Sequence, residues 1–228
     1  MSVRPRSARE LRQRQSKKGT GRSLSLSFYL CLSASLCLSV CFSSSAFAGH
    51  GFASAFTNIE WLPEPGRTPD SALYQLDAAR EEGHLFLTQT EEEKVRLCLT
   101  FAREKLAELE AMVKAEKADA AKIAAERYRL YIDRAQQLMV ESTKDKEVLA
   151  DLMANALLEH QYILSVIYEE LPATTRSIVP EVIAAAQERY QAVTKLLSPK
   201  KKGALFFKEE EVRWSVQMAT RAEENSGQ

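Results

Sequence analysis

Residues 90–113 read TEEEKVRLCLTFAREKLAELEAMV. Thr90-Glu91-Glu92-Glu93 has the spacing of a capping box, in which a hydroxyl and a carboxylate satisfy each other's backbone donors at the start of a helix. Behind it Val95, Leu99, Ala102, Leu106, Leu109 and Val113 recur at steps of 4, 3, 4, 3 and 4. That period places every one of them on a single helical face. Five of the six are large aliphatics, each stabilising by roughly 2 kcal/mol when buried. The resulting ~10 kcal/mol exceeds what surface ion pairs supply at ~0.3 kcal/mol each. A helix with such a stripe therefore folds against neighbours.

The neighbours are on either side in the sequence. After a break near residues 116–119, Ala121, Ala124, Tyr128, Tyr131, Ala135 and Leu138 repeat the pattern. Ser142-Thr143-Lys144-Asp145 interrupts the chain, and Met153, Leu157, His160, Leu164, Ile167 and Leu171 follow as a third stripe that Pro172 ends. Val179, Ile183, Ala186, Tyr190, Val193 and Leu197 form a further one, with Pro180 starting or kinking it and Pro199 closing it. Upstream, Thr68-Pro69-Asp70 is expected to open a first helix, with threonine as cap, proline in the first turn and aspartate at the positive end. Leu73, Leu76, Ala79 and Leu87 would be its apolar residues, and Gly83 its weak point. Heptad-like stripes joined by short breaks predict an all-α fold, an antiparallel bundle of four to five amphipathic helices over 69–198.

Outside that body lie three segments. Residues 49–68 hold glycines and prolines without a period and read as a linker, from which Trp61 and Leu62 would tuck against the bundle. Residues 199–228 form a tail that begins with Lys200, Lys201 and Lys202. Phe206, Phe207, Val212, Trp214 and Val216 make it too apolar for a solvated coil. It reads as a short helix folded back on the bundle or as an exposed segment that binds a partner or a membrane. Residues 1–48 carry eight bases up to Arg22, then 19 uncharged residues from Leu24 to Phe42, then Ala46-Phe47-Ala48. A basic stretch, an apolar run and a small-x-small site make up a signal peptide, with cleavage expected after Ala48. Two other readings stay open: an uncleaved signal-anchor, since 19 residues approach a bilayer span, and a lipoprotein site at Cys41, for which Val40 is a poor fit. All three readings export the remainder, to a periplasmic or secreted location.

The chain of 228 residues has only 8 Gly and 7 Pro, which argues against a doubly wound α/β enzyme or a β-barrel. Its zero net charge hides an asymmetry: beyond residue 48 there are 23 bases and 30 acids. An acidic body is a poor partner for nucleic acid. Of the four cysteines, Cys98 alone lies beyond the signal segment, so no internal disulfide forms in the mature chain. Among Val95, Leu97 and Leu99 it reads as a buried small hydrophobe.

Several short pieces resemble a known family. Pro69-Asp70-Ser71-Ala72-Leu73-Tyr74-Gln75-Leu76 is similar to its opening P-D-S-x-x-Y-x-L, and Leu85-Phe86-Leu87-Thr88 to its L-x-L-T. Ala102-Arg103-Glu104-Lys105-Leu106-Ala107-Glu108 matches A-x-x-x-L-A-E, and Tyr128 the tyrosine of the next helix. His160-Gln161 with Leu171-Pro172 resembles an H-Q stretch of longer members. Over roughly 68–197 the chain thus resembles the uncharacterised family called domain of unknown function 5667, departing from it at Gly83-His84. The resemblance implies an exported or membrane-tethered helical domain and brings no activity and no catalytic residues.

Chemistry-bearing patterns are sparse. Glu81-x-x-His84 has the spacing of one half of a di-iron site, but Leu157 stands where a second Glu-x-x-His ending at His160 needs a carboxylate. His50 would become the second residue of a chain cleaved after Ala48, a loose copper(II) site at best. The acid runs at 91–93, 169–170 and 209–211 read as solvated helix faces rather than acid/base pairs. No P-loop, dinucleotide turn, nucleophile elbow, H-E-x-x-H or C-x-x-C occurs in the chain. The expectation is a non-enzymatic protein with no catalytic residues, no cofactor and no metal, acting as a structural or protein-interaction module of the cell envelope. Its partner would be another protein, or a second copy, docked on apolar helix stripes; a membrane enters only through an uncleaved signal segment. The alternative is an extracytoplasmic sensor or stress module that binds metal or misfolded chains.

Overall fold

The computed structural model describes residues 54–143 and 145–226. The signal segment expected over 1–48 lies outside them. Within them are six helices: α1 (Tyr74–Leu87), α2 (Glu91–Lys114), α3 (Ala118–Glu141), α4 (Lys146–Ile167), α5 (Ile178–Thr194) and α6 (Pro199–Ser226). A single 3₁₀ turn, Tyr168–Glu170, follows α4, and no strand occurs among the described residues. The all-α bundle expected from the stripes is what forms.

The boundaries follow local chemistry. Thr90 caps α2: its Oγ accepts the Glu93 N–H at 3.2 Å, while its hydroxyl donates to the Glu93 carboxylate at 2.8 Å. Glu93 thus binds the capping hydroxyl instead of the Thr90 amide. At the other end the Lys117 N–H reaches the Met112 carbonyl and the Glu116 N–H reaches that of Val113, with Glu116 at φ 57°. This is a Schellman turn built on glutamate instead of glycine. It folds α3 back along α2, so that the Thr143 N–H donates to Glu91 at the start of α2. Asp145 caps α4 through the Glu147 N–H. Leu171 is extended, as the residue before a proline tends to be, and Pro180 sits in the first turn of α5, where its missing N–H costs no ladder bond.

The stripes of α2, α4 and α5 are buried along their full length, and that of α3 as far as Ala135, with Met139 replacing Leu138 inside. α2 packs on α3, α4 on α5 and α6, and α3 on α5. Cys98 lies fully buried in this core, and burial pushes its thiol up to about 11, as suits a packing residue rather than a nucleophile.

Three regions differ from expectation. The chain from Pro69 to Leu73 forms turns and α1 begins only at Tyr74; Asp70 is occupied instead with Lys117 at 2.5 Å and with Thr68. The anticipated apolar face of α1 is also the wrong one. Leu73, Leu76 and Leu87 are exposed, and Tyr74, Ala78, Glu81 and Leu85 turn inward. The tail, in turn, is not a short helix: α6 has 28 residues and Pro199 opens it. Leu205, Val212 and Ala219, seven residues apart, bury a narrow seam against the bundle, and Lys201 and Lys208 reach Asp151 and Glu159 of α4.

The irregular segment before α1 is held at two points. Phe56, not Trp61, is its anchor: it is buried, stacked on Tyr162 with ring centroids 4.3 Å apart, and Lys208 lies over its ring. Glu211 of α6 accepts both the Ser54 hydroxyl and the Ala55 N–H. Further on, Arg103 of α2 binds the Glu60 carboxylate and the carbonyls of Glu60 and Trp61, leaving the Trp61 ring half exposed and Leu62 against the core.

Candidate functional site

Lys105 is the most unusual residue of the interior. The stripe of α2 puts Ala102 and Leu106 beside it, so it points into the bundle, and it is 0% exposed. Burying an ammonium is expensive unless it is paired. Two carboxylates supply the pairing. Glu81 of α1 lies 2.6 Å from the Lys105 Nζ, and Glu108, one turn farther along α2, lies 2.7 Å away. Tyr131 of α3 donates its hydroxyl to the other Glu81 oxygen at 2.6 Å, and the Tyr74 ring lies beneath the ammonium, 5.3 Å from centroid to Nζ. Three helices thus meet on a single cation.

One ammonium cannot balance two carboxylates, and the surplus falls on Glu108. Burial raises its pKa, Lys105 opposes this, and the negative charges of Glu81 and Asp77 add to the rise, giving about 7. Burial also works against the charge on Lys105, but its bonds to Glu108 and Glu81 outweigh that and hold its pKa above the ordinary lysine value. Burial and the neighbouring carboxylates push the phenols of Tyr74 and Tyr131 up, so both keep their protons. Glu104, at the edge of the cluster, is raised by burial and by Glu81.

A second buried polar pair joins α3 and α4. The Tyr128 hydroxyl and the His160 Nδ1 are 3.2 Å apart and their rings meet edge to face. Burial, reinforced by the Arg103 charge, lowers the His160 pKa to about 3. The imidazole is therefore neutral, a core histidine satisfied by a phenol.

The residues singled out for metal chemistry do not converge. Glu81 faces inward to Lys105, whereas His84 is exposed on α1. His160 is enclosed with Tyr128, and His50 lies outside the described residues. Among the described residues no group of three His, Cys, Asp or Glu side chains is arranged to hold a metal ion. The acid runs at 91–93 and 209–211 have partners: Glu92 pairs with Arg96, Glu210 with Arg213, and Glu209 accepts from Tyr190. A groove between α3 and α5 is lined by Arg129, Asp133, Glu181 and Arg189, whose charges are matched with one another. No helix of the described residues is long and apolar enough to cross a membrane.

Sequence reasoning missed the Glu81–Lys105–Glu108 cluster although its signal is present. Lys105 and Glu108 are three residues apart on a helix and Lys105 adjoins the apolar stripe; Tyr74, Ala78, Glu81 and Leu85 repeat at steps of 4, 3 and 4. Both patterns were hidden because charged residues are ordinarily assigned to the solvent side.

No curated protein and no solved structure matches the chain. A family does match, over a span that holds both buried polar groups: Glu108 lies in the ion cluster, and Tyr128 and His160 are bonded to each other. The match ends at the turn after Pro172, short of the 197 expected, so that α5 and α6 lie beyond it. Residues 66–174 match the family described as Domain of unknown function (DUF5667).

Proposed function

We propose that this protein is an exported, non-enzymatic helical module of the cell envelope, periplasmic or secreted, that acts by docking another protein. The observation that carries this reading is the outer side of α1. Leu76 and Leu87 lie on one flank of the helix, with Arg80 between them and Leu73 at its N-cap; the three leucines are 52–74% exposed, and Phe86 is 86% exposed. The ion cluster fixes the opposite side of α1 against the bundle, so these side chains stay turned outward. An apolar strip held open on a seated helix is a surface that a partner's amphipathic helix covers. The three-part pattern of residues 1–48 supports export, and the matched charges of the α3–α5 groove give no converging, unpaired groups for chemistry.

The test is cross-linking and affinity capture of the tagged, exported chain, with amino-terminal sequencing of the product. The expected result is an extracytoplasmic product cross-linked to a partner, and loss of that partner in Leu76→Ser/Leu87→Ser with an unchanged melting temperature. A cytosolic product, or recovery of the chain only with itself, overturns the proposal.

A further inference from the structure

α6 carries a second open surface, and its chemistry differs from that of α1. With Leu205, Val212 and Ala219 buried, the opposite side of the helix presents Phe206, Phe207, Trp214 and Met218, exposed by 43–73%. Interleaved with them are Lys200, Lys202, Arg213 and Arg221, all exposed. Glu210 on the same side pairs with Arg213 at 2.8 Å. Of the flanking acids, Glu209 accepts from Tyr190 and also lies 3.7 Å from Arg213, while Glu211 is engaged by the Ser54 hydroxyl and the Ala55 N–H. Four bases, of which Arg213 is shared with Glu209 and Glu210, and four large apolar side chains are therefore interleaved along residues 200–221, about 32 Å of helix. They do so on a body that beyond residue 48 has seven more acids than bases.

We infer that the outer face of α6 is an interfacial membrane-binding surface, selective for anionic lipid. This deepens the envelope reading and rests on the export it assumes. The aromatic rings and Met218 would enter the headgroup boundary while the lysines and arginines reach phosphate, the division of labour of an in-plane amphipathic helix. Charge selects this occupant. The acidic remainder of the protein is repelled by an anionic bilayer, so α6 is the face that approaches it. A symmetric pairing of two copies through α6 would instead set one basic surface against another.

The probe is Trp214 in a Trp61→Phe background, which leaves it as the sole tryptophan of the full chain. Its fluorescence is followed with vesicles containing brominated phosphatidylcholine, with and without phosphatidylglycerol. Quenching that requires phosphatidylglycerol, weakens with salt, and reports an affinity that falls about fivefold for each base lost in Lys200→Gln/Lys202→Gln is the expected result. Phe207→Ser should reduce it as well, with helix content and melting unchanged because the side chain is 73% exposed and meets the Phe206 ring edge to face. Quenching that is absent, or that is equal with and without phosphatidylglycerol, overturns the inference. So does a Trp214 already shielded from acrylamide in a lipid-free dimer. These outcomes are independent of protein capture through α1, so failure of one proposal does not mimic failure of the other.

Discussion

Glu81, Lys105 and Glu108 carry ionisable charge into the interior, whereas Tyr128 and His160 meet there as neutral groups. Both assemblies are buried, both join different helices, and both lie within the residues that match the family. Their difference shows what each kind of polar contact does for a bundle. A neutral pair asks for little: one hydrogen bond replaces one to water, and the stripes around it hold α3 and α4 together in any case. A buried cation tolerates no loosening, because separating it from its carboxylates leaves bare charge in an apolar setting. α1 has few inward apolar side chains, so the charged assembly is what seats it.

Each assembly can be broken by substitution, at different cost. The largest effect is expected for Lys105→Met, which leaves two buried carboxylates facing each other. Denaturant unfolding should show a loss of about 3–5 kcal/mol. Adding Glu81→Gln and Glu108→Leu to it should restore most of the loss, since an apolar replacement of a whole buried cluster is near neutral. If Lys105→Met alone is harmless, the charges are not buried as described.

The next effect is on pH dependence, where the two assemblies act in opposite directions. Glu108 has a folded pKa of about 7, above its ordinary value of 4.5. The folded state thus holds the extra proton, and stability falls as pH rises from about 4.5 to 7, by an amount on the order of 3 kcal/mol. His160 has its folded pKa lowered from 6.5 to about 3, so its contribution is present above 6.5 and is lost as pH falls toward 3. In the interval the two slopes offset each other. Glu108→Gln should remove one slope and leave the other: the variant gains on the wild type as pH rises from 4.5 to 8, and its stability falls with acid below 6.5. Unfolding free energies at a series of pH values check this. Parallel curves for the two proteins would mean that Glu108 does not hold the surplus proton.

The smallest effect belongs to the neutral pair. Tyr128→Phe keeps the ring and removes the hydroxyl that faces His160 Nδ1. The expected cost is about 1–3 kcal/mol, that of one unsatisfied buried group, without change in the pH slope above 7.

How much of this was legible depended on which kind of residue faced inward. For α2, α4 and α5 the buried face is aliphatic, and the spacing of leucines and valines alone identified it. α1 offered two faces of helical period, and the leucine-bearing one was the natural choice. The actual one contains Glu81, whose reason to be inside is Lys105 on another helix, and no local pattern states that. α6 failed for the opposite reason. Its seam is one residue wide, and Lys200–Lys202 with Gly203 looks like a break, although a side chain at Gly203 would meet nothing within 4 Å and a helix passes through it without difficulty. Phe56 was missed because an anchor in an irregular segment has no period. Of the chemistry, the sequence correctly suggested that His160 and Cys98 are packing residues. The ion cluster, the most distinctive feature of the core, is long-range: each half has helical spacing on its own helix, but only the packed helices bring Glu81 to Lys105.

Charge, rather than an apolar stripe, seats α1 and thereby holds Leu76 and Leu87 outward. Hydrogen–deuterium exchange of the α1 amides in the wild type and in Glu81→Ala tests it most directly. The account predicts α1 protected in the wild type and exchanging near the unfolded-chain rate in the variant, while α4 and α5 keep their protection. Equal protection of α1 in both proteins would contradict it.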